Sequence, residues 1–357
     1  MLKAGIGPGL VKNSNNRVSD GPFGFVLLQK PDGIPMGILI LTICAILQGE
    51  AKNDFKRKDE RMSTTNIHAP GRRVDIGGRK LWVEEEGNGE PLILLTGGPA
   101  ASHLTFHPAF SSLSVKYNVI YYDYYGRGKS DRPSSYKDIT FQQDVEDLEL
   151  LRRALGFGKM YVYGLSYGGL VAQGYALKYG SHVKRLVLAN TLHSPEMWQK
   201  NHENINAEIQ NQYPERWDTI MNLRQKGIRS NHPDMMEAFS VATKIVRMYN
   251  PDNMSGILKE PDSYNYDLYW EFVGTDIDFF IGNEVPNIPD FRPHLKTLTM
   301  PVLILAGRHD RALYPKYQME FKHYCPQAEF VMMERSGSFI HIEEPERLFS
   351  LLEDFLK

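Results

Sequence analysis

The stretch Tyr161–Gly169, YVYGLSYGG, constrains the chain more than any other. An apolar, strand-like run enters a G-x-S-x-G turn centred on Ser166, and a helix-like pattern over Leu170–Tyr179 follows directly. A strand can turn this sharply into a helix only where residues such as Gly164 and Gly168 leave room for close packing, and the serine at the apex is then held in a strained conformation with its hydroxyl outward. The helix behind it points backbone amides toward any negative oxygen formed in front of the serine. With a strand pattern before it and a helix pattern after it, the motif predicts a nucleophile elbow rather than a glycine-rich turn with an incidental serine.

The surroundings of this motif predict the fold class. From about Arg72 onward strand-like and helix-like segments alternate, the signature of an α/β fold with a mostly parallel sheet and helices on both faces. Lys80–Glu86 alternates and reads as an edge strand. The runs Pro91–Thr96, Asn118–Asp123, Lys159–Gly164, Arg185–Ala189, Val302–Ala306 and Glu329–Met333 are short and apolar, as buried parallel strands are. Asp144–Leu155 places Val145, Leu148, Leu151 and Leu155 on one helix face, and Gly156 and Gly158 stop it. Pro345–Leu356 is a terminal helix with proline in its first turn. Ser194–His294 interrupts the alternation with Met, Tyr, Trp and proline-jointed helical patterns, and predicts an inserted helical cap over the carboxyl ends of the strands, where open parallel sheets place their ligand crevice. The domain reading is therefore a leader at 1–62, a first core part at 63–194, a cap at 195–294 and a second core part at 295–357.

The leader contains an apolar run, IPMGILILTICAIL at 34–47, shorter than the roughly 18–20 residues a membrane-spanning helix needs. It leaves two readings, a poorly ordered extension of a cytoplasmic protein or a signal-like segment at 34–48 that directs export, and neither includes a stable membrane span. With 41 basic and 43 acidic side chains there is no global pull toward nucleic acid. The two cysteines exclude a disulfide framework, a Cys-rich zinc site or an iron–sulfur cluster, so metal dependence would have to come from histidines and carboxylates. The sequence indicates no cofactor and no metal: GGP and GLSYGG lack the G-x-G-x-x-G of a dinucleotide fingerprint.

Two further motifs belong with Ser166. Leu95–Ala100, LTGGPA, ends a strand candidate with two glycines that let backbone N–H groups face an anion, so the amides of Gly98 and Tyr167 form a candidate oxyanion hole. Ala306–Asp310, AGRHD, ends another strand downstream of the serine, where Asp310 would occupy the second position of a Ser…Asp…His order.

In these motifs the sequence resembles the α/β-hydrolase family, and within it the proline-iminopeptidase-like branch, over roughly Arg72 to Lys357. The branch's HGGPG segment reads TGGPA at 96–100, its Asp followed by G-x-G-x-S reads DYYGRGKSD at 123–131, and its G-x-S-x-G-G reads GLSYGG at 164–169. The resemblance implies the fold, an Asp310 partner and a helical cap. It also makes Glu237 and Glu284 candidates for holding a substrate's free amino terminus, against the plainer reading of exposed acidic residues.

One position departs from the pattern. The family's histidine lies in S-G-H-x-x-x-x-E-x-P, and this chain reads SGSFIHIEEP at 336–345, with Ser338 in the histidine's place. His341 comes three residues late, about 10 Å along an extended path, so it becomes the base only if the loop curls back toward Ser166. Its other reading is a packing histidine, and His193 and His309 are weaker candidates. A serine hydroxyl is a poor nucleophile without a neighbouring base. The resemblance thus implies a serine hydrolase acting on small amides or esters, with short amino-terminal peptides favoured and Ser166, Asp310 and His341 as the candidate catalytic set. The alternatives are a carboxylesterase or a catalytically weak ligand-binding protein on the same fold. Epoxide or haloalkane hydrolysis is disfavoured, because those relatives use a carboxylate where this chain has Ser166.

Overall fold

Residues 68–280 and 288–357 are described in the computed structural model, so the expectations for the leader, including the segment at 34–48, and for Glu284 fall outside the described residues. The strands are β1 (Gly71–Asp75), β2 (Lys80–Glu86), β3 (Glu90–Leu95), β4 (Tyr117–Tyr122), β5 (Met160–Leu165), β6 (Val183–Ala189), β7 (Val302–Gly307) and β8 (Glu329–Met333). They form one sheet of order β1-β2-β4-β3-β5-β6-β7-β8. Pairing is antiparallel at the β1–β2 and β2–β4 edge and parallel from β4 through β8. β1 was not among the expected strands: GRRVD has a single buried residue, Val74, and is too polar to show a strand pattern by itself.

The central strands are apolar on both sides because both faces are covered. Alternate residues go to opposite cores. Ile93, Leu95, Ile120, Val162 and Leu188 pack with α1 (Phe141–Ala154) and α2 (Tyr167–Tyr179) on one face. Leu92, Leu94, Tyr121, Tyr163 and Val187 pack on the other with Phe106, Phe110, Leu348 and Leu352. Helix α1 is capped by Thr140, whose side chain accepts from Gln143 N–H, and beyond its end Gly156 takes φ +74°.

Between β6 and β7 lie α3 (Pro195–Gln212), α4 (Pro214–Gln225), α5 (Pro233–Arg247), α6 (Tyr266–Val273) and the short α7 (Ile277–Phe280). The first three start on proline, whose missing N–H costs nothing in a first turn. After β7 come α8 (Pro315–Tyr324), α9 (Ile340–Glu343) and α10 (Pro345–Phe355). The inserted segment touches the core at a defined place: Ala101 bridges Tyr264, and Asn265 N–H donates to Ala100 O at 3.0 Å. The loop after β3 is thereby held between the sheet and the insertion.

The tightest packing lies where β5 turns into α2. A Cβ on Gly168 would sit 2.0 Å from Leu95 O, and one on Gly164 would sit 2.5 Å from Gly168 O. Both obstacles are backbone, so neither can swing aside. Gly168→Ala should therefore cost about 3 kcal/mol in a urea titration. Gly158→Ala, with no atom within 4 Å of its added carbon, should stay within about 0.5 kcal/mol of the parent; equal losses would contradict the close approach.

Candidate active site

Ser166 stands at the β5–α2 turn with φ 51° and ψ −115°, a left-handed backbone that L side chains rarely adopt. Its backbone is fully engaged: the N–H donates to Ala189 O at 3.0 Å, and the carbonyl accepts from Gly169 N–H at 2.9 Å and Thr191 Oγ1 at 2.6 Å. The residue is partly exposed, and its hydroxyl makes no hydrogen bond among the described residues.

The glycine segment after β3 lies against this turn. A Cβ on Gly97 would come within 3.1 Å of Ser166 Cβ. Gly98, at φ +78°, adopts the backbone its lack of a side chain permits, and Tyr264 of the insertion closes over it. The N–H of Tyr167, the first residue of α2, has no partner four residues back in its helix. The glycine segment and the first turn of α2 thus flank Ser166.

A buried cation ties these segments together. Arg127, fully buried, donates from Nε to Pro99 O at 2.7 Å and from Nη1 to Tyr125 O at 2.7 Å, and pairs with both Asp144 oxygens at 2.9 Å. Tyr167 Oη donates to Asp144 Oδ2 at 2.6 Å. Burial pushes the Asp144 carboxyl up, and the Arg127 charge opposes that rise. The GGP, GRG and GLSYGG motifs therefore meet at one ion pair. The sequence reading did not single out Arg127 or Asp144 for this role; the arginine within GRG, a long cation beside two glycines, was the available signal.

Asp310 follows β7 and is fully buried. Its carboxylate accepts from Ser338 Oγ at 2.6 Å, Asn190 Nδ2 at 3.0 Å, Ala312 N–H at 2.9 Å and Leu313 N–H at 2.8 Å. Burial pushes its carboxyl up, partly offset by the charge of Arg247 and these hydrogen bonds. Asn190, itself at φ 39°, also donates to Gly337 O at 3.2 Å. Arg247, at the end of α5, offers its carbonyl to Ser338 N–H at 2.7 Å. Asn190 and Arg247 carry no recognisable motif and were not anticipated.

The structure does not bring His341 to this carboxylate. It lies in α9, 1% exposed, with Nε2 donating to Thr105 O at 2.9 Å and its ring against Phe106, Phe110 and Phe339. The intervening Ser338–Phe339 backbone leads into the helical turn Ile340–Glu343, which carries His341 to Thr105. His193 packs against Phe321 and Tyr324, and His309 against Tyr249. None of the three hydrogen-bonds to Ser166 or Asp310 among the described residues. Glu237 is exposed on α5.

Burial holds the His341 imidazole down to about 4, below its ordinary 6.5. The unfolded chain takes up that proton first as pH falls, so this residue's contribution to stability is complete above 6.5 and lost between 6.5 and 4. His341→Gln retains a donor for Thr105 but cannot titrate. Between pH 7 and pH 4 it should lose about 3 kcal/mol less stability than the parent, measured by urea unfolding. Buried His193, also held down to about 4, keeps part of the slope in both proteins. Parallel pH profiles would contradict a buried neutral His341.

The fold agrees with comparisons to known proteins. Residues 90–345 match the family model for the alpha/beta hydrolase fold. Proline iminopeptidase of Heyndrickxia coagulans is 28% identical over 295 residues, covering 79% of this chain and 97% of that protein. The Thermoplasma volcanium proline iminopeptidase is 32% identical over 221 residues, covering 61% of this chain and 72% of its own. The crystal structure of proline iminopeptidase from Mycobacterium smegmatis superposes with a TM-score of 0.67 at 23% identity, covering 80% of this chain and 97% of that one. By its matched sequence, its sheet and its relatives, the chain belongs to the alpha/beta hydrolase fold family, in the proline-iminopeptidase-like branch.

Proposed function

We propose that this chain binds small amides, esters or short amino-terminal peptides in front of Ser166 and, as a serine hydrolase of proline-iminopeptidase type, turns them over without a general-base imidazole. Ser166 Oγ bonds to the substrate carbonyl carbon and gives its proton to water, and the carbonyl electron pair moves to the oxygen that the amides of Gly98 and Tyr167 receive. Collapse expels the amine or alcohol protonated by water, and a second water releases the acyl group. The insertion over Gly98 acts as a cap that selects the substrate, with Glu237 and Glu284 as family-based candidates for its amino group. The carrying observation is the occupation of Asp310: Ser338 Oγ lies 2.6 Å from the oxygen that would orient a histidine, while His341 is bound to Thr105.

A serine hydroxyl cannot act as that base at neutral pH, since it has no proton-accepting state comparable to imidazole. What remains is oxyanion stabilisation and binding, roughly 10³–10⁴-fold over water in serine proteases stripped of a triad member. The same observation favours a second reading, a ligand-binding protein with negligible turnover, because Asp310 is satisfied without any imidazole.

Labelling by a fluorophosphonate and turnover of proline p-nitroanilide and p-nitrophenyl acetate distinguish the readings. The parent should label slowly at Ser166, Ser166→Ala should not label, and Ser338→His should gain at least about 10²-fold in labelling rate and turnover. Rapid labelling of the parent that collapses in His341→Gln would overturn the assignment of the missing base. Absence of labelling and turnover in the parent and in folded Ser338→His, with proline amides still bound, would replace the hydrolase by the binding protein.

A further inference from the structure

We propose that His68, Glu84, His103 and His107 form a site for one structural divalent transition-metal ion, zinc by its ligand set, at the antiparallel edge of the sheet. One ligand atom from each residue lies within 4.8 Å of all the others, the one such group of three or more among the described residues. They come from separate places: His68 precedes β1, Glu84 sits on β2, His103 opens the short helical turn His103–Phe106 after β3, and His107 follows it. Three imidazoles and a carboxylate are a set that zinc takes with tetrahedral geometry, and four protein ligands leave no open position, as in structural sites.

The second shell is arranged for the same purpose. His103 turns Nε2 toward Glu84 Oε1 at 3.1 Å while its Nδ1 is held by Asp123 Oδ1 at 2.8 Å. His68 turns Nδ1 toward Glu84 Oε2 at 3.9 Å while Nε2 meets Glu260 Oε1 at 2.7 Å. Carboxylates on the far nitrogens fix ring orientation and tautomer in metal-bound histidines. His107, 2% exposed, has its Nε2 3.0 Å from Glu84 Oε2, and its Nδ1 has no hydrogen-bond partner among the described residues. An ion between these atoms would take the place of the contacts that His103 and His107 make with the two Glu84 oxygens.

Two protein cations compete for Glu84. Lys129 Nζ approaches Oε1 to 3.9 Å from the rim, resting over Trp82. A proton on His103 is the other: burial disfavours it, yet hydrogen bonds to Asp123 and Glu84 outweigh burial and push that imidazole up to about 9. Neither reaches the His107 nitrogens. A zinc ion would also pin the loop carrying Gly98 to the sheet edge, since His103 closes that loop.

The untagged full-length chain, freed of metal with a chelator, should bind one equivalent of zinc chloride and melt at a higher temperature with zinc than without. Cobalt chloride should give the intense visible absorption of a tetrahedral ion. His68→Ala and His107→Ala should each weaken zinc binding at least about 10-fold, and Glu260→Gln, outside the ligand set, should weaken it by about 10-fold. His68 is the most peripheral ligand, and circular dichroism of His68→Ala without metal checks that the variant still folds. Zinc binding of equal affinity in a folded His68→Ala/Glu260→Gln variant would overturn the site. So would a parent chain that retains no zinc and melts at the same temperature with and without it, leaving the cluster to the His103 proton.

Discussion

The guanidinium of Arg127 is the interaction on which the arrangement around Ser166 depends. An arginine cannot shed its charge, so burying it completely requires partners for its donors. It finds Asp144 on α1 and the carbonyls of Pro99 and Tyr125. Asp144 in turn takes the Tyr167 hydroxyl. The glycine loop, the loop after β4 and the first residue of α2 are thereby held by one charged group. Removing it would leave a buried carboxylate unpaired, which commonly costs about 3–5 kcal/mol. The segments beside Ser166 are therefore held from the interior of the protein.

Much of the fold was legible because local patterns and the global architecture agree. Buried parallel strands need apolar residues on both faces, so runs such as Val302–Ala306 stand out, and glycine was demanded where β5 meets α2. β1 was missed because an edge strand with one buried residue has no pattern to show. The insertion showed itself through prolines that open α3, α4 and α5, but the contact of Tyr264 with Gly98 is a long-range meeting that no spacing rule encodes.

The site divides in the same way. Ser166 and Asp310 are marked by the strand ends that carry them, and Ser338 was recognisable by counting back from Glu343 and Pro345. The placement of His341 was not, because a three-residue offset is compatible with a loop that curls back or with a helical turn. The backbone takes the turn, and the ring enters an aromatic pocket. The histidine–carboxylate cluster at the sheet edge was invisible for a different reason. His103 and His107 do carry an H-x-x-x-H spacing, but a single such pair has no metal partner nearby in sequence, and only strand pairing and the turn after β3 bring His68 and Glu84 to it.

Asp310 has a complete set of neutral donors. In a working triad this carboxylate is matched to an imidazole that must gain and lose charge; here Ser338 supplies a donor that never ionises. Burial still raises this carboxyl, and the charge of Arg247 together with these donors offsets only part of that cost. Replacing Ser338 by a residue without a donor would therefore leave a buried carboxylate less well satisfied, a cost to folding that is separate from any effect on turnover.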